Sequence, residues 1–350
     1  MLYGITLLAA SLYAAPPAVA PPVIGPDSLS FRIVAPAPMI PLPARPAPAP
    51  PDATATAAST APSTAREEHA ASWSSKFSYA SHGIFVRVAL DGADAGWFLI
   101  DTGANATVID TDVAHARHLA SAGDEVIEGT AGKTRATVYR LGNVSVSGAT
   151  AIAVTGVAQD LSGFPAPNGE HLAGILGSDF LGAFVMRIDF ASRQVTFSAS
   201  TSDSITTGRT AIHFDTDHGA PRIPVTLDGH VAADFRIDTG LHGAYDDAPY
   251  VAVTGDVWRD LSRDHGTVMT KRQVNARGLG DADITLPVAR IGRLAIGSAS
   301  VESPWVVPQE KRGYFARDDA VSLLGNGVLE HFSPVTIDYL TGTLYLTVPR

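Results

Sequence analysis

The chain has 350 residues, 45% of them apolar and only 17% charged, which is enough for two ordinary domains and a sizeable core. A formal net charge of −10 argues against a nucleic-acid partner, whose phosphates demand a basic surface. The absence of cysteine excludes disulfides, thiolate catalysis and cysteine-based metal sites.

Residues Ile5 to Ala15 form an apolar run too short to span a bilayer comfortably. Ala18-Val19-Ala20 follows, an A-x-A pattern of the kind signal peptidases read, with a cut after Ala14 as the alternative. No Lys or Arg precedes the run, and Pro21 would follow the cut. Residues 1–20 are expected to be a signal peptide or hydrophobic tail, with no membrane span beyond it. The protein is then periplasmic or secreted. Residues 21–72 are dominated by Ala, Pro, Ser and Thr and cannot bury enough apolar surface to offset the entropy of ordering. They read as a disordered linker. A propeptide is the competing reading, disfavoured because the segment has few basic residues.

From Trp73 onward, short apolar runs separated by abundant Gly and Pro point to an all-β chain. One unit occurs twice. Ile84-Phe85-Val86-Arg87-Val88-Ala89-Leu90-Asp91-Gly92 corresponds to Arg222-Ile223-Pro224-Val225-Thr226-Leu227-Asp228-Gly229. Each ends in Leu-Asp-Gly, a hairpin turn signal. After a second strand, each copy reads Asp-Thr-Gly: Asp101-Thr102-Gly103 and Asp238-Thr239-Gly240. The copies also close alike, with Ile175-Leu176-Gly177 and Leu323-Leu324-Gly325, then terminal hairpins turning at Ala191-Ser192-Arg193 and Leu340-Thr341-Gly342. Helices are expected over Thr111–Ala120, with Asp110 as N-cap, and over Pro249–Ser262. The lobes divide as 73–203 and 204–350.

Two carboxylates held close together can hydrolyse an amide without a metal or cofactor. Like charges a few ångström apart cannot both ionise, so one keeps a proton while the other takes one from a water between them. Gly103 and Gly240 let the chain turn sharply beside the carboxylate. Thr102 and Thr239 can hydrogen-bond across a lobe interface.

With Asp101-Thr102-Gly103-Ala104, Asp238-Thr239-Gly240 and the two apolar-apolar-Gly triplets, the chain resembles aspartic peptidases of the pepsin and retropepsin type, in particular bacterial proteins with two retropepsin-like units. The resemblance covers about Trp73 to Val348. It implies an all-β bilobal fold of two homologous β-barrel-like lobes, with a substrate cleft between them. It also implies a flap hairpin over the cleft, for which Gly129, Thr130 and Gly132 are candidates in the first half and Gly278 and Gly280 in the second. Tyr139 is the nearest candidate for a flap tyrosine, and a poor one. Ala104 fits the retropepsin pattern; Leu241 and His242 depart from it, since a bulky Leu could narrow the site and His242 could perturb the pair.

Other constellations are weaker. His115 and His118 have zinc-compatible spacing but no third ligand. Gly278 to Asp283 loosely resembles a calcium loop, and a turn is favoured. Gly325-Asn326-Gly327 is no dinucleotide fingerprint, and no G-x-S-x-G is present. Asp189 and Asp338 read as turn aspartates. The expectation is a monomeric aspartic endopeptidase, two lobes in one chain, acting on a peptide or protein substrate. The alternative is an impaired, peptide-binding or scaffold protein of the cell envelope. A processing enzyme dedicated to one partner is a third reading.

Overall fold

The computed structural model describes residues 5–13, 28–38, 71–129, 132–164, 166–243, 249–263, 267–276 and 284–348, with the strands 5–13 and 28–38 described by backbone alone. The fold is all-β and bilobal. Each lobe opens with a hairpin: Gly83–Leu90 against Ala93–Ile100, and Ala220–Leu227 against Val231–Ile237. Both turns take the left-handed conformation that an Asp-Gly pair tolerates, with φ of 46° and 82° at Asp91-Gly92 and of 48° and 78° at Asp228-Gly229. The turn aspartates are used alike. Asp91 Oδ1 accepts the Asn143 N–H at 2.8 Å, and Asp228 Oδ1 accepts the Arg293 N–H at 2.8 Å.

A short strand then threads beside each hairpin. Leu172–Leu176 runs parallel to Ala93–Ile100 and antiparallel to Thr107–Asp110. Ser322–Leu324 does the same with Val231–Ile237 and Tyr250–Val253. All residues of both threading strands are buried, which is why Leu172–Leu176 reads as an unbroken apolar run rather than an alternating one.

The terminal hairpins expected from the sequence meet each other. Val185–Asp189 pairs antiparallel with Val335–Asp338 (Val185 opposite Asp338, Ile188 opposite Val335) and joins the lobes. The resulting six-stranded sheet runs Thr210–His213, Thr343–Leu346, Val335–Asp338, Val185–Asp189, Gln194–Ser198, Ser72–Lys76. One apolar cluster, including Phe180, Phe197, Ile337 and Leu344, continues across both lobes. Asp189 and Asp338 close the turns: Asp189 Oδ1 accepts the Ser192 N–H, and Asp338 Oδ1 accepts those of Leu340 and Thr341, all at 3.0 Å.

Two helix expectations change. The first helix spans Thr111–Ala116 rather than reaching Ala120; its N-cap is Asp110, and the chain turns out at His118 with φ of 52°. The second spans only Gly255–Leu261 with Thr254 as N-cap, because Tyr250–Val253 is a buried strand held by Trp305–Pro308 and Ser322–Leu324.

Two further hairpins extend from the lobes. Ser121–Gly129 pairs with Gly132–Val146, closing at Gly129 opposite Gly132. Val268–Ala276 pairs with Ile284–Arg290. Thr130, Gly278 and Gly280 lie outside the described residues. Near the N-terminus, Ile5–Tyr13 and Ser28–Pro38 pair with each other and run along both hairpins. Ile5 and Thr6 lie parallel to Ile127 and Glu128, Ser28–Ser30 parallel to Gln273–Asn275, and Ala10–Leu12 parallel to Leu241–Gly243. Among the described residues, no helix is long and apolar enough to cross a membrane.

Candidate active site

Asp101 and Asp238 each stand where a hairpin strand ends. The Asp101 N–H donates to the Leu176 carbonyl at 3.0 Å, and the Asp238 N–H to the Leu324 carbonyl at 2.9 Å. The apolar-apolar-Gly triplets thus anchor both loops from the threading strand. Past the strand end the chain folds back on its own carboxyl group. Gly103 and Ala104 N–H donate to Asp101 Oδ1 at 2.8 and 3.1 Å. The Leu241 N–H donates to Asp238 Oδ1 at 2.8 Å, and the Gly240 N–H is a further donor to that carboxyl.

The loops interlock across the lobe boundary. Thr102 Oγ1 donates to the Ile237 carbonyl at 2.7 Å and accepts the Thr239 N–H at 3.1 Å. Thr239 Oγ1 donates to the Ile100 carbonyl at 2.8 Å and accepts the Thr102 N–H at 3.0 Å. A methyl group on Gly103 would lie 2.7 Å from Asp238 Cγ, and one on Gly240 closer still to Asp101 Cγ. Each glycine is therefore required by the carboxyl group of the opposite lobe, a close approach that the tripeptide alone does not reveal.

Neither carboxyl group has exposed surface, and Oδ2 of each takes no partner from the groups around the pair. A proton on one is within hydrogen-bonding reach of the other. Burial, followed by the charge on Asp238, pushes Asp101 well above the usual carboxylate range. Burial also raises Asp238, against the opposing pull of the Arg236 guanidinium and the loop N–H groups. The pair therefore favours holding a proton, and its titration belongs to both residues together.

Leu241 does not crowd the carboxyl groups. It has no exposed surface and packs in the second lobe's own cluster with Tyr250, Val288, Val307 and Leu323. Ala104 sits in the matching cluster of the first lobe with Phe85, Leu99 and Ile175. The side chain of His242 lies outside the described residues. Tyr139 is half-buried and stacks edge-on with His115. Among the described residues, no three His, Asp or Glu side chains gather as a metal site.

Three residues around the pair escape sequence reasoning. Asn326 Nδ2 donates to the Thr239 carbonyl at 2.8 Å and to the His82 carbonyl at 2.7 Å, tying the second loop to the first lobe. Asn105, directly after the first loop, buries an amide whose two polar atoms have no partner. Arg236 is buried two positions before Asp238. The signal for Arg236 was a charge inside an otherwise apolar strand end; for the two asparagines no pattern in the sequence marks them.

Residues 86–180 match the family model described as aspartyl protease, a stretch confined to the first lobe. Among solved structures, the chain is similar to a retropepsin-like aspartic protease from Rickettsia conorii, at 22% identity and a TM-score of 0.29, over 40% of this chain and 91% of that one. It is also similar to an aspartic proteinase from Irpex lacteus, at 14% identity and a TM-score of 0.50, over 79% of this chain and 97% of that one. The latter is a likeness of fold that extends over both lobes. No curated protein matches the chain.

Proposed function

We propose that this chain, which belongs to the aspartic peptidases of the retropepsin and pepsin type, is an endopeptidase in which Asp101 and Asp238 jointly activate a water against a peptide bond. The observation that carries the reading is the crossed pair of loops. Each threonine is bonded to the other lobe's backbone, and each glycine lies against the other lobe's carboxyl group. Two carboxyl groups held this way, without exposed surface, favour a single shared proton.

In that state the carboxylate takes a proton from the water as the water oxygen adds to the carbonyl carbon. The protonated partner gives its proton to the carbonyl oxygen, forming a neutral diol. As the C–N bond breaks, the first carboxyl group returns its proton to the leaving nitrogen. The second takes one from a diol hydroxyl, restoring the starting pair. No metal or cofactor enters these steps.

An extended peptide suits the edges of the strands Ser121–Gly129 and Val268–Ala276, which already carry extended backbone from Ile5–Thr6 and Ser28–Ser30. The alternative of an impaired scaffold leans on Leu241 and His242; the bulk of Leu241 lies inside the second lobe, and the His242 side chain lies outside the described residues. Export, and action as a monomer, are proposed on the sequence alone.

The test is a diverse peptide library incubated with the full chain from acid to neutral pH, with cleavage products read by mass spectrometry. The wild type is expected to cut internal bonds. Asp101→Asn and Asp238→Asn should each lose about a thousandfold or more. Peptide binding by the wild type without cleavage at any pH would overturn the proposal in favour of the scaffold.

A further inference from the structure

The first lobe reaches the second dyad loop through a turn. Ser81 and His82 join the strands Ser78–Ala80 and Gly83–Leu90, both in the left-handed conformation with φ of 49° and 63°. Neither is a glycine, so the turn depends on what surrounds it. The His82 carbonyl accepts a bond from Asn326 Nδ2, which also donates to the Thr239 carbonyl. Those two bonds use both protons of the amide nitrogen. Asn326 Oδ1 is buried with no partner, so the two carbonyls alone orient the amide. The position of His82 therefore bears on the Thr239 loop.

The His82 ring is held in turn by the second lobe. Its Nδ1 lies 3.4 Å from Glu330 Oε1 and 3.2 Å from the Tyr79 hydroxyl, which donates to Glu330 Oε2 at 2.7 Å. The His82 and Glu330 side chains are only 15% and 28% exposed, so salt screens their attraction weakly. The matching contact of the other lobe is built differently. Gly219 takes the place of His82 and Ser178 that of Asn326, and a methyl group on Gly219 would lie 2.3 Å from Ser178 Oγ. Gly182, which has no side chain, stands in the place of Glu330.

We propose that Glu330 is a positioning residue for the second dyad loop: with Tyr79 it grips the His82 turn, and through Asn326 it holds Thr239 against the first lobe, more firmly when the imidazole is charged. The inference rests on reading Asp101 and Asp238 as a working pair. Protonating the ring turns its contact with the carboxylate into a charge-assisted hydrogen bond, roughly twice as strong as a neutral one. The groups facing it allow this. Burial works to raise Glu330, but the hydrogen bonds from His82 and Tyr79 prevail and hold it below the usual carboxylate range, so it is charged wherever an imidazole titrates. Burial, then the Glu330 charge, push the Tyr79 phenol up, and it keeps its proton. His331 beside Glu330, and Tyr250 and Arg193 toward Tyr79, are the further ionisable groups around the cluster among the described residues.

The test joins protonation to turnover in the full-length protein. In an NMR titration, Glu330→Gln should lower the proton affinity of His82 about tenfold. The Gly240 amide nitrogen, whose peptide group carries the Thr239 carbonyl, should shift at the His82 midpoint in the wild type and not in Asn326→Ala. In peptide cleavage, wild-type kcat should exceed that of Glu330→Gln about tenfold below about pH 6 and match it above about pH 8, with KM unchanged. The dyad's own titration is common to both proteins and cancels in the ratio. Glu330→Gln should cost nothing further in Asn326→Ala. His82→Asn suits the left-handed turn but lacks the imidazole; it should reproduce the Glu330→Gln profile, and decides the matter if that variant does not fold. A kcat ratio that does not change with pH, a loss that persists in Asn326→Ala, or a Gly240 signal indifferent to His82 would overturn the proposal. A protein that cuts no peptide sinks the hydrolytic reading, and the His82 and Gly240 titrations then decide this one.

Discussion

The two lobes agree in backbone and differ in side chains. Both place Asp-Thr-Gly at a strand end, anchor it on a threading strand and cross it with the partner loop. Around that shared frame, the first lobe has Leu99, Ala104, Ser178 and Asp179 where the second has Arg236, Leu241, Asn326 and Gly327. Steric demands are therefore held in common, while the electrostatics of the two carboxyl groups are free to diverge. An active pair needs the first and profits from the second, because one carboxyl group must be acid while the other is base.

The largest effect should come from breaking what the lobes share. Gly103→Ala and Gly240→Ala put a methyl group against the opposite carboxyl carbon and are expected to lower kcat/KM by about a thousandfold each, with circular dichroism unchanged. Thr102→Val and Thr239→Val each strip a buried N–H and a buried carbonyl of their partners. Each should destabilise the chain by about 2–4 kcal/mol in urea denaturation, and the double variant by less than the two together.

Side chains that differ between the lobes should show smaller, one-sided effects. Leu241→Ala opens a cavity in the second lobe and should cost about 2–4 kcal/mol with the carboxyl titration little changed, whereas Ala104→Leu overpacks the first lobe by about 1–3 kcal/mol. The smallest effect is in pH. Both dyad carboxyl groups are raised above their unfolded values, so the stability they contribute is present in acid and is lost as pH rises through the folded range. Asp101→Asn removes that loss. It should melt a few degrees above the wild type at neutral pH, a gap that closes on acidification below the ordinary carboxylate range. Asp179 adds a window of its own, because burial raises it to about 6 while Gly327 offers nothing equivalent. Asp179→Asn should flatten the melting curve's pH dependence between about 4 and 6.

Much of this frame was legible in the sequence because repetition marks it. Leu-Asp-Gly, Asp-Thr-Gly and the closing triplets recur in order, and short-range turn chemistry fixes each. What was not legible depends on partners far along the chain. Tyr250–Val253 falls within the helix expected over Pro249–Ser262, the place matching the first lobe's helix, but pairing with Trp305–Pro308 and Leu323–Leu324 makes it a strand. Leu241 looked like an obstruction because sequence gives a side chain's size and not its direction. Arg236 stands in the sequence only as part of an approaching strand, since its setting depends on Asp217 and Tyr314 meeting around it. Asn326 enters the sequence reading only within Gly325-Asn326-Gly327, weighed as a dinucleotide fingerprint, whereas it ties Thr239 to His82.

The central claim is that carboxyl groups from two lobes act on one water. The most direct measurement is calorimetric titration of the full chain with a peptide whose target amide is replaced by a secondary alcohol, which occupies the place of that water. The account predicts one molecule bound per chain, with affinity reduced at least tenfold by either Asp101→Asn or Asp238→Asn. Affinity unchanged in one of the two variants would contradict it.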